Sequence, residues 1–149
     1  MKTLFSEEVA CELIARLKMI TPEHRQLWGK MNAAQMMAHC SIAMEVARDR
    51  KQLKRMRIGY VLGGLLKKNF YNEKHFARNS PTHPYYIKAG DAEIEKERVE
   101  LIAHLRAFQA GGPEKCTTQQ HTFFGRLTPE QWGIGMYKHA DHHLRQFGV

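Results

Sequence analysis

The sequence predicts an all-α fold, a bundle of helices, and three observations support this. Apolar residues recur at helical spacing, beginning with Phe5, Val9, Leu13 and Leu17 at every fourth position. Residues that start helices precede these segments, and Gly or Pro residues follow them. No segment shows the polar–apolar alternation of a half-buried β-strand, and the chain has no internal repeat or low-complexity tract.

The first two helices have clear boundary signals. The first is predicted from Ser6, which can serve as its N-cap, to about Lys18. The second is predicted from Asn32, which can cap it, to Ala47. Its sequence, AAQMMAHCSIAMEVA, is rich in strong helix formers.

The middle of the chain is less regular. A third, shorter helix is predicted over residues 60–71, YVLGGLLKKNFY, which are apolar enough to pack. Gly63 and Gly64 each weaken this helix by about 1 kcal/mol relative to Ala. A long loop follows over residues 72–90, because Pro and Gly residues interrupt any helical period.

Two more helices are predicted in the last third of the chain. Asp91 can cap a fourth helix, which ends near Gln109 ahead of a Gly-Gly-Pro sequence. Thr128 is the predicted N-cap of the last helix, and Gln131 completes a capping box with it. A proline occupies the first helical position, and the helix runs to about Gln146.

Length and composition suit one globular domain over residues 1–149. The chain has 149 residues, of which 43% are hydrophobic, so a core can form. Lys and Arg number 23 against 15 for Asp and Glu, and the net charge of +8 permits an anionic partner. Cys11, Cys40 and Cys116 are too far apart in sequence for a CxxC pair, so we expect reduced thiols in a cytoplasmic protein.

The distribution of charged and apolar residues along the chain indicates which classes of partner to expect. No segment has the ~20 apolar residues that span a bilayer, and the first residues lack a signal-peptide pattern, so we expect no membrane partner. Residues 48–57 carry six basic side chains and one acid. This segment is either a solvated surface or a region that draws an anionic thiol or phosphate toward a pocket. Nucleic-acid binding is disfavoured, because no aromatic platform or DNA-binding motif accompanies it.

Two histidines of the last helix point into the predicted bundle. At about 100° per residue, His139 and His143 lie within about 60° of Trp132 and Met136, on the apolar side. His142 falls nearer the polar side. That polar side is expected to carry Lys138, Asp141 and Arg145, the last two as a surface ion pair.

An inward histidine on the second helix completes a candidate metal site. His39 lies on the same apolar face as Gln35 and Ile42. With His139 and His143, which are one helical turn apart, it would give three imidazoles and leave coordination positions open, as in catalytic metal sites. Neutral imidazoles suit zinc, nickel or iron. The alternative is that core hydrogen bonds satisfy each histidine without a metal.

Two stretches of the chain resemble a known superfamily. LWGKMNAAQMMAHC (27–40) and HTFFGRLTPEQWGIGMYKHADHHLRQFG (121–148) are similar to the DinB/YfiT-like metalloenzymes, and more narrowly to an uncharacterised DinB-like branch, a domain of unknown function. The resemblance implies a four-helix bundle with an extra short helix and long loops. It also implies a divalent metal on His39, His139 and His143, and it makes a homodimer an expectation. Relatives include thiol-dependent transferases.

The predicted function is that of a divalent-metal-dependent enzyme acting on a small molecule. It would be a transferase that uses a low-molecular-weight thiol cosubstrate, or a hydrolase. Gln35 could orient a ligand, Tyr137 could donate a hydrogen bond, and His121 could approach the pocket mouth; each also has an ordinary structural role as a rim, core or loop residue. No general base is evident. The rival hypothesis is a non-catalytic basic helical binding module whose inner histidines are structural.

Overall fold

The regular structure is helical throughout the described part of the chain. The computed structural model describes residues 1–80, 82–87 and 93–149. Within them it contains no strand, two short 3₁₀ turns and six helices: α1 (Glu7–Met19), α2 (Ala33–Ala47), α3 (Arg57–Leu66), α4 (Lys68–Tyr71), α5 (Ile94–Gly111) and α6 (Pro129–Gln146). The predicted all-α bundle is confirmed. None of these helices combines the length and apolar character that crossing a bilayer requires.

Four long helices form the bundle. α5 and α6 each pack against both α1 and α2, and α4 packs against α6. The core between them is built from large side chains that are fully buried, among them Leu13, Met36, Met44, Leu105 and Trp132. Burying one such side chain stabilises a fold by about 1.5–3 kcal/mol. The apolar stripes of the sequence therefore account for the bundle.

The predicted caps begin three of these helices. Ser6 accepts a hydrogen bond from the Val9 backbone N–H at the start of α1. The Asn32 side chain accepts the Gln35 N–H at 2.8 Å, and the Gln35 side chain accepts the Asn32 N–H at 3.1 Å. Thr128 forms the same reciprocal pair at the start of α6. Because these caps satisfy otherwise unpaired N–H groups, they fix the helix starts that the sequence predicted.

The third helix differs from its prediction in extent and in packing. It begins at Arg57 rather than residue 60, and it is interrupted at Lys67, which separates α3 from α4. The expectation that its apolar side chains pack is wrong for α3, whose only buried residues are Gly59 and Gly63. These glycines face the protein body, so the larger side chains of α3 point away from it.

The start predicted for the fourth helix cannot be compared with the structure. Asp91 lies outside the described residues, and the described helix α5 begins at Ile94. It ends at Gly111, two residues beyond the predicted end, where Gly112 takes a positive φ of 61°. Glycine adopts this left-handed conformation without a steric penalty, and for that reason it commonly ends helices.

Two residues on the side of α6 expected to be polar, Lys138 and Asp141, are buried, whereas Arg145 on the same side is exposed. Asp141 does not form a surface pair with Arg145; its carboxylate accepts a hydrogen bond from Arg16 of α1 at 2.8 Å. Lys138 donates to the carbonyl of Asn69 at 2.7 Å, which satisfies a backbone oxygen near the end of α4. α6 has neighbours on several sides, and its polar residues are therefore used as packing contacts. The helical wheel could not anticipate this, because it contains no information about those neighbours.

Candidate metal centre

α2 and α6 bring the three inward histidines together. The Nε2 atoms of His39 and His139 are 2.9 Å apart. The three ring centroids lie between 4.7 and 4.9 Å from one another, and one potential ligand atom from each of His39, His139 and His143 lies within 4.8 Å of the others. α6 supplies two imidazoles one turn apart, and α2, which packs against α6, supplies the third.

A backbone carbonyl sets the tautomer of His39. Its Nδ1 lies 3.2 Å from the carbonyl oxygen of Tyr86, in the 3₁₀ turn Pro84–Tyr86 that packs against α2. Since a carbonyl oxygen can only accept, Nδ1 must carry the proton and donate it. The lone pair is then on Nε2, which faces His139, and the ring is held in an orientation suited to binding a cation.

A side-chain amide sets the tautomer of His143 in the same way. Its Nδ1 lies 2.9 Å from Oε1 of Gln146, while Nε2 of Gln146 donates to the carbonyl of Trp28 at 2.6 Å. That second bond fixes the amide, so Nδ1 of His143 donates to the oxygen and leaves Nε2 with the lone pair. Gly29, whose φ is 82°, lies against this amide, and a Cβ atom there would collide with the amide nitrogen of Gln146.

His139 is the member of the cluster that reaches solvent. His39 and His143 are buried, whereas His139 is partly exposed. Its Nδ1 atom is buried and has no hydrogen-bond partner among the described residues, so no acceptor there holds a proton on Nδ1 as in His39 and His143.

Burial keeps all three imidazoles neutral at pH 7. Loss of hydration lowers the pKa of His39 to about 4 and that of His143 to about 3. The pKa of His139 lies well below its ordinary value, mainly because the ring is buried, and also because further positive charge would face His143 and His39. Each ring therefore has a lone pair to offer, which is the form that binds metals.

The donor set and its spacing fit a divalent cation. Zinc–nitrogen bonds of about 2.0–2.1 Å place two ligands of a tetrahedral ion about 3.3 Å apart. The separations here, from 2.9 Å for the closest pair to the 4.8 Å limit of the cluster, bracket that value. Three neutral imidazoles suit zinc, nickel or iron.

The structure gives Gln35 and Tyr137 other surroundings. The Gln35 side chain closes the capping box of α2. Tyr137 is partly buried beside Lys2, whose ammonium lies 5.8 Å from the ring centroid, and it lines a cavity of about 240 Å³ that also contacts Asp141. These contacts account for both residues as structural groups, and their predicted roles toward a ligand stay untested.

His121 is close enough to His139 for its charge to lower the pKa of that ring, and it is held firmly. Its Nδ1 accepts the backbone N–H groups of Phe123 and Phe124 at 3.0 and 3.2 Å, and its ring packs against Phe70 and Trp132. Burial lowers its pKa to about 3. A neutral ring whose Nδ1 accepts must carry its proton on Nε2, so His121 has one N–H to donate.

Sequence reasoning missed the groups that orient the imidazoles. Gln146 lies three residues after His143, and that spacing on a helix could have pointed to it. The carbonyls of Tyr86 and Trp28 belong to segments without helical period, and no residue pattern marks a backbone oxygen as a partner.

A protein-family model described as "Protein of unknown function (DUF1569)" matches residues 5–148. The chain belongs to the DUF1569 family. The match spans all six helices and all three clustered histidines of the DUF1569 protein. No curated protein and no solved structure matches it. Since the family description states no activity, a function for the DUF1569 protein must be argued from its site.

Proposed function

We propose that this DUF1569 protein is a metal-dependent enzyme in which His39, His139 and His143 hold a divalent ion. One observation carries the proposal: three neutral imidazoles from two helices converge, and two of them have the tautomer that leaves Nε2 free. The resemblance to DinB-like metalloenzymes supports the same residues. Zinc, nickel and iron are the candidate ions.

The chain's own residues would prepare the site for a small-molecule substrate. When bound, a divalent ion supplies Lewis acidity, which lowers the pKa of a coordinated thiol or water. The Tyr86 carbonyl and Gln146 hold two of the rings, and the bundle core keeps them neutral. A substrate would have to approach past His139, the one clustered histidine that is partly exposed.

The reaction class we propose is transfer with a low-molecular-weight thiol cosubstrate, with hydrolysis as the second candidate. The thiol is favoured by the resemblance, and the net charge of +8 would favour an anionic thiol. The same resemblance supports a homodimer. With the reduced cysteines, it also supports a single-domain cytoplasmic protein. A screen of model electrophiles with and without thiols separates the two reactions: turnover that needs the thiol indicates transfer, and turnover without it indicates hydrolysis.

The rival function is a non-catalytic basic helical module with structural histidines. The 2.9 Å contact between the Nε2 atoms of His39 and His139 favours it, because His139 can donate a hydrogen bond there without any metal. Under this hypothesis the cluster contributes to packing only, and the protein needs no ion.

Metal content distinguishes the two hypotheses. We expect the protein, purified without a histidine tag, to contain about one equivalent of zinc, nickel or iron, since three imidazoles bind one ion. The variant His139→Ala should lose most of it, because two imidazoles remain. Elemental analysis by mass spectrometry measures both.

A matched control for this experiment removes a histidine elsewhere. His75→Ala, at an exposed position, should keep the wild-type metal content. If the wild type stays metal-free after reconstitution with each of the three ions, the structural hypothesis holds and the enzyme proposal is wrong.

A further inference from the structure

Helix α3 presents an apolar face to solvent. Exposed fractions are 52% for Ile58, 67% for Tyr60, 78% for Val61 and 80% for Leu65. Ile58, Val61 and Leu65 lie within about 60° of one another around this helix, so they form one apolar surface. Tyr60 lies to one side of it, with its ring against Arg55. Such surfaces on soluble proteins mark contact sites, because leaving clustered apolar area in water is unfavourable.

Two glycines hold this face outward. Gly59 and Gly63, one turn apart, are the buried residues of α3. A Cβ atom at Gly59 would lie 2.6 Å from the carbonyl oxygen of Phe123, and one at Gly63 would also collide with that oxygen. The helix therefore lies against the turn formed by residues 121–125, along the side where Gly59 and Gly63 carry no side chains. It cannot rotate to bury the apolar residues without driving them into that backbone.

The apolar face lies in the most basic part of the chain. Residues 48–74 contain nine Lys and Arg and two acids, so most of the net charge of +8 is concentrated there. Lys54 and Arg57 are exposed at the N-terminal end of α3, and Lys68 is exposed just beyond its C-terminal end. α3 itself contains no acidic residue. A partner must therefore offer apolar contacts flanked by negative charge.

We propose that α3 docks the protein onto a membrane surface that carries anionic lipids. A ten-residue helix is about 15 Å long and would lie in the plane of the interface, with its apolar side chains among the acyl chains. Lys54, Arg57 and Lys68 would contact the headgroups, each basic residue contributing to attraction within about a Debye length. The contact needs no helix that crosses the bilayer.

Two other possible partners of the α3 face, a second copy of the chain and a nucleic acid, fit its charges and apolar side chains less well. A second copy of the chain would place one basic surface against another, and nucleic acid would leave Val61 and Leu65 without apolar partners. The sequence-based expectation of no membrane partner depended on the lack of a spanning segment, and surface docking by α3 would need no such segment. This inference does not depend on the metal site.

Binding to lipid vesicles tests the proposal. Tag-free protein is sedimented with vesicles of phosphatidylcholine containing phosphatidylserine, and with vesicles of phosphatidylcholine alone. We expect binding to the anionic vesicles that weakens with added salt, and Leu65→Glu should reduce it by about tenfold or more, because a carboxylate would enter the interface. Leu65 is 80% exposed, so this variant should fold, as circular dichroism can verify.

The matched control has the same charge at an apolar site elsewhere. Val99 is 67% exposed on α5, and Val99→Glu changes the net charge by the same amount as Leu65→Glu. It should bind nearly as well as the wild type. Equal binding by the two variants, or no binding of the wild type to anionic vesicles, overturns the proposal. A dimer in light scattering that Leu65→Glu converts to monomer would assign the face to a second copy and overturn it too.

Discussion

At the scale of single residues, the histidine cluster depends on two groups outside it. The Tyr86 carbonyl and the Gln146 amide each accept the Nδ1 proton of one imidazole. Without them, His39 and His143 would be free to change tautomer or rotate, and each Nε2 lone pair would lose its direction. In metal sites, removing a partner of this kind commonly lowers metal affinity about 10- to 100-fold.

Replacing Gln146 should weaken metal binding while all three ligands stay in place. We expect Gln146→Leu to lower metal affinity about 10- to 100-fold, since Nδ1 of His143 loses its acceptor. The carbonyl of Trp28 loses its donor as well, which should reduce the free energy of unfolding by about 1–3 kcal/mol. Competition with a chelator measures the affinity, and urea denaturation measures the stability.

The control for this substitution is an exposed glutamine. Gln119→Leu makes the same chemical change on the surface and should leave metal affinity unaltered. If Gln146→Leu binds metal as tightly as Gln119→Leu does, then the amide does not position His143.

At the scale of helices, the boundaries set by side-chain caps were predictable and the packing of α3 was not. The residues that begin α1, α2 and α6 are local signals, each with its partner three residues away. Whether an apolar helix is covered depends on its neighbours. For α3 the neighbour is the backbone around Phe123, which leaves room only for glycine.

The candidate site likewise has residues that could be predicted from the sequence and groups that could not. His39, His139 and His143 could be placed from sequence, because α2 and α6 are regular enough for a helical wheel to assign their inner faces. The carbonyls of Tyr86 and Trp28 could not be placed, because they come from connecting segments whose path depends on the assembled bundle.

Replacing either of two adjacent glycines of α3 with alanine should change the free energy of unfolding in opposite directions. Gly63→Ala places a Cβ atom against the Phe123 carbonyl and should reduce the free energy of unfolding by about 1–3 kcal/mol. Gly64 has nothing within 4 Å of its would-be Cβ atom, so Gly64→Ala should raise the free energy by about 0.5–1 kcal/mol. Urea denaturation of both variants measures the difference.

These two substitutions serve as each other's control, since both remove the same flexibility from the unfolded chain. Shifts of equal sign and size would mean that α3 does not lie against the 121–125 turn as described.

At the scale of the whole molecule, the buried histidines make stability depend on pH. His39 has an ordinary pKa of 6.5 when unfolded and about 4 when folded. Between these values the unfolded chain binds more protons than the native state does, so the free energy of unfolding decreases as the pH falls. The metal-free protein should therefore lose stability below pH 6.5, and His39 alone should account for about 2 kcal/mol at pH 5.

Urea denaturation at pH 7 and pH 5, with a chelator present, measures this loss. His39→Gln should reduce the difference between the two conditions, because Gln does not titrate. His75→Gln, which changes an exposed ring, should retain it. An undiminished difference in His39→Gln would contradict the burial of that imidazole.

Gly29, in the connector between α1 and α2, affects the candidate site through Gln146. Its bare Cα is what permits the Trp28 carbonyl and the Gln146 amide to meet. A related chain could therefore retain all three histidines and still bind an ion weakly, if a residue larger than glycine occupied position 29 in this exposed bend. Under the proposed function, three histidines in a related chain would not by themselves establish a metal site, and the residue at this bend would have to be compared as well.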